Sequence, residues 1–208
     1  LLTHTAGFGY EIWNQEYLDY VAATGALSVL SRKKTSLQMP LLFDPGSRWN
    51  YSISIDWACF MLEEVTGLTL GDYMQANIFA PLGMASTAFK VNADMATRQA
   101  KLHLRGAHGN LTLPDGTAPS AEPDFDAGGG GLSSTIEDYA KFVRMILNKG
   151  AYEGGQILAP ETVAMMSANQ MGDTRVEKLT TAMPTLSNDA EFFPGVEKAW
   201  GLSFMINL

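Results

Sequence analysis

Pro45-Gly46-Ser47-Arg48-Trp49-Asn50-Tyr51-Ser52 joins a turn to a long apolar run, and its reading decides the fold. Proline and glycine in Asp44-Pro45-Gly46-Ser47 supply the dihedrals that a tight turn needs. Arg48 to Ser52 should leave that turn extended. From about Ser54 to Val65 the chain is apolar on nearly every helical face until Glu63-Glu64, with Gly67 placed to cap the helix, so a central, buried helix is expected. Tyr51 is thus presented at the end of a turn, just ahead of a helix. Asp56 falls near the start of that helix, where a carboxylate can accept free N–H groups and meets the positive end of the dipole.

Outward from this stretch the chain reads mainly as helices. Toward the N-terminus, Tyr17, Leu18, Val21, Leu27 and Leu30 recur at roughly helical spacing with a break at Gly25, predicting one or two short helices over 14–30. Toward the C-terminus, Thr69 and Asp72 form a capping box for a helix reaching about Phe79, ended by Ala80-Pro81-Leu82-Gly83. Residues 86–127 are polar and turn-rich, with extended candidates at Thr87–Val91 and Lys101–Leu104. Gly128 to Gly131 precede a second capping box, Ser134 with Glu137, for a helix running to about Asn148. Ala159-Pro160-Glu161 opens a short helix, Gly172–Pro194 reads as loop, and Ser203–Leu208 alternates like a strand cut before its partner. No repeat or linker divides the chain. The expectation is one α+β domain over 1–208, helical over about 14–149 and returning toward a sheet over 150–208.

Composition removes several function classes. The 208 residues carry a formal charge of -8 and a pI near 4.8, so no basic field is available to neutralise phosphates and a nucleic-acid partner is set aside. Apolar runs reach only about six residues, short of the roughly 18 to 20 that cross a bilayer. The lone Cys59 excludes an internal disulfide. The first residues show neither an initiator methionine nor a secretion signal, so the chain reads as starting within a fold and localisation stays open. The four glycines are followed by no lysine at P-loop spacing, which sets phosphate binding aside. His103 and His108, with His4 remote, make a weak metal set, and Asp115, Glu122, Asp124 and Asp126 lack calcium-loop spacing and read as a solvated loop. No metal or cofactor is expected.

Five segments in register resemble the β-lactamase-like serine hydrolases, the penicillin-recognising fold of class C β-lactamases, D-Ala-D-Ala peptidases, family VIII carboxylesterases and lovastatin-type acyltransferases. They are Leu1-Leu2-Thr3-His4-Thr5-Ala6-Gly7; Pro45 to Ser52 running into Asp56; Asn77-Ile78-Phe79-Ala80-Pro81-Leu82-Gly83-Met84; Gly128 to Thr135 with Asp138-Tyr139; and Trp200-Gly201-Leu202. The resemblance implies an antiparallel sheet flanked by helices plus a helical region, incomplete at both ends. It also implies a small-molecule ester or amide substrate, and makes Gly128 to Gly131 a tight backbone approach beside the helix at 135–148, near the pocket wall.

In that family a serine on a Ser-x-x-Lys turn attacks the substrate carbonyl, a lysine and a tyrosine manage the proton, and a backbone oxyanion hole receives the charge. The resemblance puts Tyr51 on the tyrosine's place as catalytic base. The family's nucleophile lies upstream of the Leu-Leu-Thr-His-Thr segment, which here opens the chain, and its third strand motif should follow Trp200-Gly201. Ser31-Arg32-Lys33-Lys34 matches Ser-x-x-Lys literally but falls after the His-Thr segment, and fits better as a solvated helix C-terminus. The position two beyond the tyrosine, an amide-binding asparagine in class C β-lactamases, is Ile53. The implied activity is an esterase or related acyltransferase, with a β-lactamase or D,D-peptidase as the enzymatic alternative and a non-catalytic binding module as the rival of another class.

Overall fold

Backbone hydrogen bonds between residues some forty positions apart fasten the start of the chain to the turn before Tyr51. Gly46 N–H donates to Thr5 O at 2.7 Å, Leu42 N–H to Gly7 O at 2.8 Å and Asn50 N–H to His4 O at 2.9 Å. The structure is a computed structural model that describes residues 1–101, 103–106, 109–113 and 123–208.

Helix α1 (Gln15–Thr24) ends at Gly25 in the left-handed conformation, where the missing Cβ removes the steric cost. Single 3₁₀ turns at Val29–Ser31 and Lys34–Leu37 follow, so Ser31 ends the first turn and Lys34 opens the second, and the stretch is not the C-terminus of an α-helix. Lys33 pairs with Asp124 at 2.8 Å and the Lys34 ammonium lies 5.4 Å from the Phe60 ring centroid.

Helix α2 (Ser54–Thr66) has the expected length and the Gly67 cap, but its burial is concentrated in the first turn, at Ser54 and Asp56. Met61 is 61% exposed and Val65 85% exposed, against the expectation of an all-round buried helix. Apolar content says what a helix can bury, whereas packing depends on what lies against it.

Thr69 caps α3 (Leu70–Met74) by accepting the Asp72 N–H, as the sequence implies. The helix then widens to a π turn at Gln75–Phe79 before α4 (Ala80–Leu82). Pro81 has no N–H to give the carbonyl of Asn77, four residues back, and that deficit favours a non-α turn here. Helix α5 (Ala93–Arg98) is short, and β1 (Leu104–Arg105) pairs with β2 (Leu111–Thr112).

Helix α6 (Ile136–Leu147) is capped by Thr135, whose Oγ1 accepts the Asp138 N–H at 3.3 Å. The cap therefore falls one residue later than the Ser134–Glu137 box, and Ser134 Oγ instead lies 2.7 Å from Thr87 Oγ1. Asp138 is buried and accepts from Ser86 N–H at 2.7 Å and Thr87 Oγ1 at 3.0 Å, while Glu137 is exposed. Beyond it lie the hairpin of β3 (Ala151–Tyr152) with β4 (Gly155–Gln156), α7 (Pro160–Met166), and β5 (Lys198–Trp200) paired antiparallel with β6 (Met205–Asn207). The alternating C-terminal run thus finds a partner within the chain. Residues 172–194 are loop apart from one antiparallel bridge, Leu179 to Ala190.

Three apolar clusters hold these elements: Tyr17, Val29, Leu37, Met39 and Ile53; Trp49, Val176, Leu179 and Trp200; and Phe79, Leu82, Met84 and Met145. The second ties the 172–200 return to the turn before Tyr51. Helices with small paired strands agree with an incomplete α+β fold.

Thr135→Ala should lower stability by about 1 kcal/mol through loss of the cap, while Glu137→Ala stays within about 0.5 kcal/mol as an exposed site. Urea unfolding of the two variants measures the difference.

Candidate active site

Tyr51 leaves the Asp44–Ser47 turn with its backbone neighbours fixed on both sides. Asn50 N–H is held by His4 O, and Ser52 N–H donates to His4 Nδ1 at 3.2 Å. Asn50 is further tied through its side-chain N–H to Phe8 O at 3.0 Å. The phenol then sits among rings: His4 at 4.4 Å between centroids, Tyr10 at 5.8 Å and Trp200 at 6.1 Å. Trp200 arrives from β5 and stands edge-on to His4 at 5.2 Å.

His4 is buried and has φ of 56°, a left-handed value that a side-chain-bearing residue adopts at a cost of about 1–2 kcal/mol. Its bonds to Asn50 and Ser52 offset that strain. Burial pushes the imidazole down to about 4, so it is neutral near pH 7, and the Ser52 N–H on Nδ1 leaves the ring proton on Nε2. Ser52 Oγ lies 2.6 Å from Ser54 Oγ, extending this polar string to the start of α2.

Asp56 closes the other side. Its Oδ1 accepts the Gly129 N–H at 3.0 Å and its Oδ2 faces the Tyr10 hydroxyl donor at 3.5 Å. The glycines therefore make their close approach to α2 and Tyr10, and not to the helix at 135–148. A Cβ on Gly129 would stand 2.5 Å from Tyr10 Oη, and one on Gly128 would stand 2.2 Å from Cys59 Sγ. Gly129 and Gly130 share with Tyr51, Tyr10 and Asp56 a cleft of about 280 Å³, with Ile12, Leu30, Phe125 and other apolar side chains as its walls and Arg32 at the rim. A more open depression of about 860 Å³ between α4, α6 and β3 contains none of these residues.

Burial first, and the Asp56 carboxylate second, push the Tyr51 phenol above its ordinary value of 10. Tyr10 is driven up more strongly by the same two causes. Both phenols are therefore protonated near neutrality. Ile53 is fully buried among Tyr17, Val29, Leu37 and Met39, so it backs the cleft and offers it no polar group.

Of the residues singled out in the sequence, Tyr51, Asp56, Gly129 and Gly130 come together, while Ser31 does not line the cleft and its hydroxyl is buried without a hydrogen-bond partner among the described residues. Asp124 and Asp126 are tethered, the first to Lys33 and the second to Gly71 N–H at 3.0 Å. His108, Asp115 and Glu122 lie outside the described residues. Tyr10 was not singled out by its sequence. Its signal is Gly7-Phe8-Gly9-Tyr10, since a Cβ on Gly9 would lie 2.2 Å from Asn14 Oδ1, a spacing that marks close backbone packing.

The profile of the family described as Beta-lactamase matches residues 1–207. The chain belongs to the Beta-lactamase family. This Beta-lactamase-family chain is 32% identical to acyltransferase mokF of Monascus pilosus, with 100% of the chain and 51% of that protein covered. It is 30% identical to lovastatin esterase of Penicillium rubens, with 83% of the chain and 44% of that protein covered. Among solved structures, a mutant simvastatin synthase from Aspergillus terreus superposes with a TM-score of 0.74 at 30% identity, covering 100% of this chain and 50% of that one. The chain thus spans about half the length of the relatives it matches.

The His4 imidazole makes stability pH-dependent with a defined sign. Its folded value, about 4, lies below the unfolded 6.5, so the unfolded state binds the extra proton first and stability falls as pH drops from 6.5 toward 4. The full loss should be roughly 3 kcal/mol. Measuring unfolding free energy at pH 7.5 and 4.5 should show a smaller drop for His4→Gln than for the parent.

Proposed function

We propose that the protein is a serine hydrolase or acyltransferase acting through an acyl-serine intermediate, most closely a carboxylesterase, with Tyr51 as its proton-transfer residue and the nucleophile outside these residues. The observation that carries this reading is the position of Tyr51. It lines a mostly apolar cleft together with Tyr10, Asp56 and the Gly129–Gly130 backbone, in a chain similar to an acyltransferase and an esterase.

The chemistry follows the family. The serine oxygen forms a bond to the substrate carbonyl carbon while its proton passes to the tyrosine oxygen. The tetrahedral species then expels the alcohol, which takes that proton back, and water or a second alcohol repeats the steps in reverse to release the acyl group. A phenol that titrates near 10 must drop about three units to act as phenolate at pH 7, which corresponds to about 4 kcal/mol. Here burial and Asp56 move it the other way. A cation beside Tyr51 is therefore needed, the part the family's lysine plays. The Ile53 position favours esters over β-lactams, because no described residue lining the cleft carries the side-chain amide that would meet a drug's acyl-amide, an omission worth about 1–3 kcal/mol for a buried group.

In the intact protein, Tyr51→Phe keeps the ring packing and removes the phenolic oxygen, so kcat for p-nitrophenyl butyrate should fall by about 10²- to 10⁴-fold. Turnover within a few-fold of the parent would remove Tyr51 from the mechanism. The parent's kcat/KM should also be roughly ten- to a hundred-fold higher for p-nitrophenyl butyrate than for nitrocefin. An equal or greater value for nitrocefin would favour a β-lactamase, and no turnover of either would favour a binding module.

A further inference from the structure

Asp56 is a buried carboxylate whose described hydrogen-bond partners are an amide and a phenol and not a cation. Burial holds its carboxyl above the ordinary carboxylate range, although the Gly129 N–H, the Tyr10 hydroxyl and the Gly128 N–H all favour the charged form. A group kept under such unfavourable conditions needs a local reason. The reason lies in what its two oxygens join: Tyr10 from the first loop and Gly129 from the Ala127–Gly131 turn, with Asp56 itself in the first turn of α2, five residues after Tyr51.

We propose that Asp56 is a positioning residue for acyl transfer at Tyr51: its carboxylate fastens the glycine turn and the Tyr10 phenol to the first turn of α2 and so sets the width of the cleft where the substrate carbonyl meets Tyr51. This rests on the acyl-transfer reading of the site. The turn is closed internally by Gly130 and Gly131 N–H groups donating to Ala127 O, at 3.2 and 2.7 Å, which leaves the Gly129 N–H free to be taken by Asp56. Contact is close enough that a Cβ at Gly129 would be 2.9 Å from Asp56 Oδ2 as well as 2.5 Å from Tyr10 Oη.

The same carboxylate also acts on Tyr51 through space. The groups facing Tyr51 are His4, neutral at pH 7; Tyr10, protonated; the Asp56 carboxyl, held above its ordinary value by burial; and the exposed Arg32, which lines the same cleft. Asp56 thus opposes phenolate formation while holding the cleft's shape, and the two effects can be separated. Asp56→Asn keeps an oxygen for the Gly129 N–H and removes the charge, whereas Asp56→Ala removes both.

Both variants are tested in the intact protein, with ¹³Cζ-tyrosine NMR titration, hydrogen exchange of the 127–131 segment, and the pH profile of p-nitrophenyl butyrate hydrolysis. Asp56→Asn should move the Tyr51 titration to lower pH, shift the acid limb of kcat/KM the same way, and leave exchange at 127–131 near the parent's. Asp56→Ala should raise that exchange by roughly ten-fold or more. Gly129→Ala, which prises the same contact apart, should do likewise and serves if the alanine variant does not fold. Unchanged exchange in Asp56→Ala or Gly129→Ala, or an unmoved Tyr51 titration in Asp56→Asn, would overturn the proposal. Exchange and titration that respond as stated while the Tyr51→Phe enzyme keeps its turnover would leave the Asp56 clasp standing and remove the acyl-transfer role of Tyr51 instead.

Discussion

The pairing of His4 with Asn50 and Ser52 is the constraint on which the site depends. Two bonds accepted by one residue, at its backbone carbonyl from Asn50 N–H and at its ring nitrogen from Ser52 N–H, clamp the chain on either side of Tyr51. His4 accepts a left-handed backbone and a neutral, buried ring to make them. Neutrality is necessary to the arrangement: an imidazolium would carry a proton on Nδ1 and meet the Ser52 N–H donor to donor. The pH sensitivity of stability and the placing of Tyr51 therefore have one origin.

Around that clamp the electrostatics run against the chemistry assigned to Tyr51. Desolvation disfavours a phenolate, and the Asp56 carboxylate in the first turn of α2 disfavours it further. A catalytic base with such surroundings works only when a positive charge is placed beside it, and the cleft's own cation, Arg32, stands at the rim. On the proposed reading, these residues supply the position of the phenol, and the charge that tunes it comes from the family's lysine or from the substrate.

Much of the fold was legible in the sequence because its signals are local. Gly25, Gly67 and Gly83 end helices in the left-handed conformation, Thr69 caps as read, and Pro160 starts α7. What was missed depends on tertiary context. The cap of α6 moved from Ser134 to Thr135 because Asp138, not Glu137, is drawn inward by Ser86 and Thr87. The C-terminal run pairs with β5 because a hairpin partner lay only a few residues upstream, and the exposure of Met61 and Val65 could not be foreseen from an apolar composition. In the site, Tyr51 was found through a motif, whereas Tyr10 is brought in from 41 positions away by contacts that no short pattern encodes.

Buried carboxylates emerge as the means by which loops are held here. Glu11, next to Tyr10, is buried and is met by the Ser28 hydroxyl and by the Val29 N–H at 3.1 Å, which fixes the turn whose Val29 and Leu30 line the cleft. Asp56 does the same for the glycine turn, and Asp138 for the segment at 86–87. Each is met by a backbone N–H group, and of the three only Asp138 also meets a cation among the described residues, Lys141 at 2.8 Å. An amide has a fixed direction and cannot swing away as a long ammonium side chain can, so such bonds trade electrostatic strength for geometric definition. In a cleft walled mostly by loops, that definition is what allows two rings, a carboxylate and a glycine backbone to hold one shape.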